Sequence, residues 1–87
     1  MLTIEDCIEL SELTAEEIDA IAEHEHTSTI VAAEMGWYLV QTPEGEKRIK
    51  RMIADDIDAA RSRGDHAHAA RLKLVLKHFL EEHTGGR

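Results

Sequence analysis

Acids and imidazoles are the side chains with which this chain could do chemistry. Its 87 residues hold 18 Asp and Glu, 6 His and a single Cys. The densest stretch is Glu23-His24-Glu25-His26. Glu-x-x-His puts a carboxylate and an imidazole on one helix face, and di-iron carboxylate bundles use two such pairs with two further Glu residues. Two copies of the chain would supply both pairs, with Glu34 as the extra carboxylate. Chance alone gives about one acid-x-x-His at this composition. The chain has two, Glu23/His26 and Asp65/His68, so the spacing carries little weight by itself. On a helical wheel Glu23 and His26 point away from the apolar side, which fits a solvated acidic helix end.

Asp56 and His68 form the second constellation. They lie on the inner faces of two helices expected to meet at Gly64. Antiparallel arms closing there put residue 56 nearest residue 71 or 72, with His68 about one turn away. An Asp56–His68 or Asp56–Arg71 pair joining the arms is the structural interpretation, and a ligand or base pair is the functional one. The metal-ligand candidates are therefore Glu23, His26, Glu34, Asp56 and His68, for an iron- or zinc-type transition metal. No Ser or Thr is visibly paired as a nucleophile and no glycine-rich phosphate loop occurs, so no catalytic residue is nominated. Cys7 has no partner for an internal disulfide, and Glu5, Asp6 and Glu9 around it disfavour the thiolate.

Charge is unevenly placed. The net charge is -8. Residues 1–46 contain no Lys or Arg and carry every acid from Glu5 to Glu46, whereas all 10 basic residues follow. Packing of one half on the other, within a chain or across a dimer, is the simplest way to satisfy that asymmetry. Lys47, Arg48, Lys50 and Arg51 crowd the early turns of a helix, where they oppose its dipole and call for a nearby anion. Phosphate is one candidate. A nucleic-acid interface is disfavoured, because the would-be recognition helix over residues 29–41 has one Glu and no cation and follows a strongly acidic helix.

These residues need helices to position them. Thr3 is expected to cap a short helix over Ile4–Leu10. Thr14-Ala-Glu-Glu17 is a capping box that opens a helix to about Glu25, with Ala15, Ile18, Ile21, Ala22 and Glu25 on one face. Thr27 or Ser28 caps a central helix to about Gln41. Thr27, Glu34 and Gln41 form its narrow polar stripe beside Tyr38. Ala32, Ala33 and Gly36 form a small-residue side, and the remainder is expected to be wrapped. Thr42-Pro43 starts a helix to about Arg63, with Ile49, Met52, Ile53, Ile57 and Ala60 inward around Asp56. Gly64-Asp65 ends it and caps the last helix, which runs to about His83 with Ala69, Leu72, Val75, Leu76 and Phe79 inward.

The fold class is all-α: a four- to five-helix bundle over residues 1–87, ending in a tight helical hairpin, with 85–87 frayed. The segment around Trp37 is too apolar for so small a monomer to cover, which points to a homodimer. No basic n-region and no run long enough to span a bilayer is present, so a cytoplasmic protein without membrane contact is expected. The expected function is a non-enzymatic interaction or regulatory module acting through helix faces, on a protein partner or a second copy. Trp37, Tyr38 and Met35 are its anchors, and Lys47, Arg48, Lys50 and Arg51 set orientation. A carboxylate–histidine metal bundle is the alternative, and nucleic-acid binding through residues 47–51 comes third.

Overall fold

The computed structural model describes residue 3 and residues 12–84. The expected helix over residues 4–10, Cys7 and the tail 85–87 lie outside the described residues. Within them the chain is all-helical, with no strand. Four α-helices follow in order: α1 (Ala15–Glu25), α2 (Thr29–Leu39), α3 (Pro43–Ser62) and α4 (His66–Phe79). A π-helical turn, Leu80–Thr84, continues α4.

Each helix starts where a side chain can replace a missing turn. Thr14 and Glu17 form the reciprocal box: Glu17 N–H donates to Thr14 Oγ1 at 3.1 Å, and Thr14 N–H to Glu17 Oε1 at 2.8 Å. Ser28 caps α2 through Val31 N–H at 3.3 Å. Thr42 caps α3 through Gly45 N–H at 3.0 Å, with Pro43 in the first turn. Asp65 caps α4 through His68 N–H at 3.2 Å. These side chains satisfy N–H groups that helix geometry leaves orphaned.

Two residues at helix ends take left-handed backbone. Gly64, with φ 80°, turns the chain between α3 and α4, and Asp65 N–H closes the turn on Ala60 O at 2.8 Å. His26, with φ 54°, does the same after α1. Gly45 is required for another reason: a Cβ there would collide with the Leu39 carbonyl, so the start of α3 lies directly on the end of α2.

The core is aliphatic apart from Phe79. α3 contributes Ile49, Met52, Ile53, Ile57 and Ala60, and α4 contributes Ala69, Leu72, Val75 and Phe79. These are the inward faces expected from spacing, with Leu76 only partly buried. α3 and α4 share the most extensive packing among the described elements, and α1 packs on α2, α3 and α4.

Two helices are turned differently from expectation. On α1, Glu17, Ile18, Ala20 and Ile21 are buried, whereas Ala15 and Glu25 are exposed. The reason is that α1 sits between several helices, so its buried arc is broader and centred closer to Glu17 than one apolar stripe suggests. On α2, Ala32, Ala33 and Gly36 face inward, against Leu13 and Ile21 at Gly36. Among the described residues, nothing wraps the rest. Ile30 and Tyr38 are 58% and 72% exposed, Val31 is exposed, and Glu34 lies among them. Met35 and Trp37 are partly buried against the core. One 11-residue helix offers a narrow contact arc, and small residues already fill it.

Candidate functional site

Three helices bring acids and imidazoles to one place. α1 supplies Glu23 and His24 from its last turns, α3 supplies Asp55 and Asp56 from its middle, and α4 supplies His68 from its first turn. His68 Nε2 lies 2.7 Å from Glu23 Oε1 and joins α4 to α1. His24 has an acid at each ring nitrogen: Glu25 Oε2 at 3.0 Å from Nδ1, and Asp55 Oδ2 at 3.5 Å from Nε2. Arg63, in the α3–α4 connection, approaches Glu23 and Asp65 at 4.0 Å each.

Asp56 is at the centre. It is 6% exposed, and its Oδ2 is buried without a hydrogen-bond partner. Burial pushes its pKa up to about 6, with the Glu23 and Asp55 charges adding to the rise and His24 and His68 opposing it. An uncompensated buried carboxylate is costly, so the protonated form is favoured. The pKa of His24 is also raised. Burial works against its charge, but the Glu25 and Asp55 hydrogen bonds and the Asp56 charge outweigh that penalty.

A groove of about 330 Å³ runs beside this junction, between α1 and α4. Ala20, Leu72 and Val75 contribute its apolar surface, and Glu16, Asp19, Glu23, His68 and Arg71 its polar surface. Glu23 and His68 thus belong both to the junction and to the groove wall. The arrangement can hold, release and share protons between three helices.

Glu23, Asp56 and His68 are therefore the candidates that the fold gathers. His68 takes Glu23 as its hydrogen-bond partner, not Asp56, because α1 lies close enough to reach it. Arg71 is exposed on the groove and forms no ion pair with Asp56. His26 takes the left-handed cap position of α1 and is exposed, and Glu34 is exposed on α2. The Glu23/His26 spacing thus does not become a paired site. Among the described residues, no group of three or more His, Cys, Asp or Glu is arranged to hold a metal ion. His24 and Asp55 were missed because nothing in their local spacing links them. Only the sideways approach of α1 to α3 does.

A separate buried acid, Glu17, lies at the other end of α1. Its side chain is fully buried, with Oε1 in the capping box and Oε2 unpartnered. Burial raises its pKa, against the Thr14 hydrogen bonds and the charges of His78 and His83. Sequence marked Glu17 only as a cap; its burial follows from the rotation of α1.

Lys47, Arg48, Lys50 and Arg51 are all exposed on the first turns of α3. Among the described residues no ion pair reaches them. Arg63 with Glu23 is the only Lys or Arg contact here that joins the basic half to the acidic one. Among the described residues, internal ion pairs therefore do not neutralise the basic cluster. No described helix is long and apolar enough to cross a membrane.

No family model, curated protein or solved structure matches the chain.

Proposed function

We propose that the chain is a non-enzymatic association module whose docking face is the outer side of α2 and whose occupant is a second copy of the chain. The observation that carries this reading is the exposed trio Ile30, Val31 and Tyr38 on one side of an 11-residue helix. Ile30 and Tyr38 stand one turn either side of Glu34 on one stripe, with Val31 beside it, so the apolar surface flanks a single carboxylate that must stay wet or find a cation. Burying the apolar part is favourable at about 25 cal/mol per Å². Tyr38 is suited to the centre, with a large ring and a hydroxyl that can remain wet.

Charge favours a second copy as the occupant. The cluster Lys47, Arg48, Lys50 and Arg51 is exposed without an ion partner among the described residues. Its complement is the cation-free acidic segment before residue 47, which a second copy presents. A net charge of -8 works against a polyanion as the alternative. Orientation would come from the charges and affinity from the apolar stripe. Trp37 and Met35 support the face from below because both pack partly on the core.

Light scattering across a dilution series tests this reading. Wild type is expected to dissociate reversibly, and Tyr38→Ala and Ile30→Ser to stay monomeric while keeping wild-type circular dichroism. Neutralising Lys47, Arg48, Lys50 and Arg51 to Gln should weaken association less and reduce its salt dependence. Folded Tyr38→Ala and Ile30→Ser chains that associate like wild type would defeat the reading. If wild type is monomeric throughout and retains DNA through residues 47–51, the nucleic-acid alternative replaces it.

A further inference from the structure

The junction of α1, α3 and α4 holds more ionisable groups than packing needs, and the association reading uses none of them. We propose that it is a proton-operated latch: protonated, it clasps the end of α1 and the first turn of α4 onto α3; deprotonated, it lets them part and opens the groove between them.

The geometry supplies a clasp on both sides of Asp56. The Glu23–His68 contact, at 2.7 Å, ties α1 to α4. The His24–Asp55 contact, at 3.5 Å, ties α1 to α3. Asp56 lies beneath them, 6% exposed, with Oδ2 unpartnered. The charges facing it are Glu23 and His24 from α1, Asp55 from its own helix and His68 from α4. Arg63 and Asp65 stand at the rim, joined to the group through Glu23. The single charge on α2, Glu34, is on that helix's exposed side. Glu81 and Glu82 in the terminal turn are exposed, and His83 acts on Glu17.

The two protonation states differ in sign balance. With a proton on Asp56, that carboxyl adds no charge beside Glu23 and Asp55. With the proton gone, Asp56 is a further carboxylate facing those two acids in one partly buried space. The cations near them are already engaged: His24 lies between Glu25 and Asp55, and Arg63 is shared between Glu23 and Asp65 at 4.0 Å. Like charges in a medium drier than water repel strongly, and helix ends are the first parts of a fold to open. The raised pKa of Asp56, about 6, puts that change between about pH 5 and about pH 8. Glu23 and His68 also line the groove, so their separation exposes its floor of Ala20, Leu72 and Val75.

Amide hydrogen exchange in the presence of EDTA, at about pH 5.5 and about pH 7.5, brackets that window. Rates are corrected for intrinsic base catalysis. The amides of Glu25, Thr27, Ala69 and Ala70 are expected to open about fourfold more often at the higher pH, the part of the Asp56 linkage that falls between those two values. Those of Met52 and Ile53, in the core of α3, should change little. Asp56→Asn should remove the pH response at the four reporter amides and leave them protected at both values. A pH-independent wild type, or an unchanged response in Asp56→Asn, overturns the latch. Should Asp56→Asn fail to fold, carbon-detected titration of the Asp56 carboxyl in wild type decides. A midpoint coincident with amide opening supports the latch, and one in the ordinary carboxylate range overturns it.

Discussion

Replacing Asp56 with Asn should stabilise this protein at neutral pH, although Asp56 is nearly buried among other ionisable groups. A carboxyl whose pKa is higher in the folded than in the unfolded chain favours the fold in its protonated form. That contribution is complete below about 3.8 and declines as pH rises; it is gone above about 6. At about 1.4 kcal/mol per pH unit, the window corresponds to at most about 3 kcal/mol. Water entry and relaxation around a buried charge reduce it, so a value of about 1–3 kcal/mol is expected. Asn has nearly the same shape and never ionises. Asp56→Asn should therefore match wild type near pH 4 and exceed it near pH 7.5. At about 4–8 °C per kcal/mol for a domain of 60–100 residues, the difference in melting temperature is easily read by circular dichroism. Parallel stability curves, or a variant less stable than wild type at pH 7.5, would refute the reasoning that burial raises the Asp56 pKa and makes its ionised form costly.

Other perturbations follow from the same structure. Gly45→Ala should prevent normal folding or cost several kcal/mol, read by urea melts, because a Cβ meets the Leu39 carbonyl. Gly64→Ala should cost about 1 kcal/mol by the same assay, since its φ of 80° suits glycine and open space surrounds it. Thr14→Ala should cost about 0.5–2 kcal/mol by removing the α1 cap and should increase exchange of the Glu17 amide. Phe79→Ala should cost about 3–5 kcal/mol, because the ring is fully buried and stacks on His83 at 4.7 Å between centroids.

Local chemistry made much of the architecture legible. The Thr14/Glu17 box, Thr42-Pro43 and Gly64-Asp65 each satisfy or terminate backbone within a few residues, so their meaning is contained in sequence. The inward face of α3 was equally clear, because Ile49, Met52, Ile53, Ile57 and Ala60 repeat at helical spacing and all are buried. Ala32, Ala33 and Gly36 correctly marked the side of α2 on which other residues approach closely.

What escaped depended on how helices lie across each other. Glu23 and His68 are 45 positions apart, and their contact follows from the rotation of α1 about its axis. The same rotation buries Glu17 and exposes Ala15. Hydrophobic periodicity could not settle it, since Ala15, Ala20 and Ala22 fit either orientation. Spacing puts Asp56 on the inward face of its helix, but the two arms beside Gly64 carry no sign that α1 lies against both and offers Glu23 to His68. The apolar run around Trp37 suggested a helix covered on nearly every side. Covering the Ile30, Val31 and Tyr38 side requires surface that the described residues do not place there.

Tyr38 offers the most direct test of association through α2. Its ring is 72% exposed in the single chain, and it is the only tyrosine. Hydroxyl-radical footprinting at increasing protein concentration reads its accessibility against that of exposed Leu74 on α4. Association through α2 requires Tyr38 to become protected as concentration rises while Leu74 keeps its reactivity. A Tyr38 that remains as reactive in concentrated, associated protein as at high dilution would contradict the account.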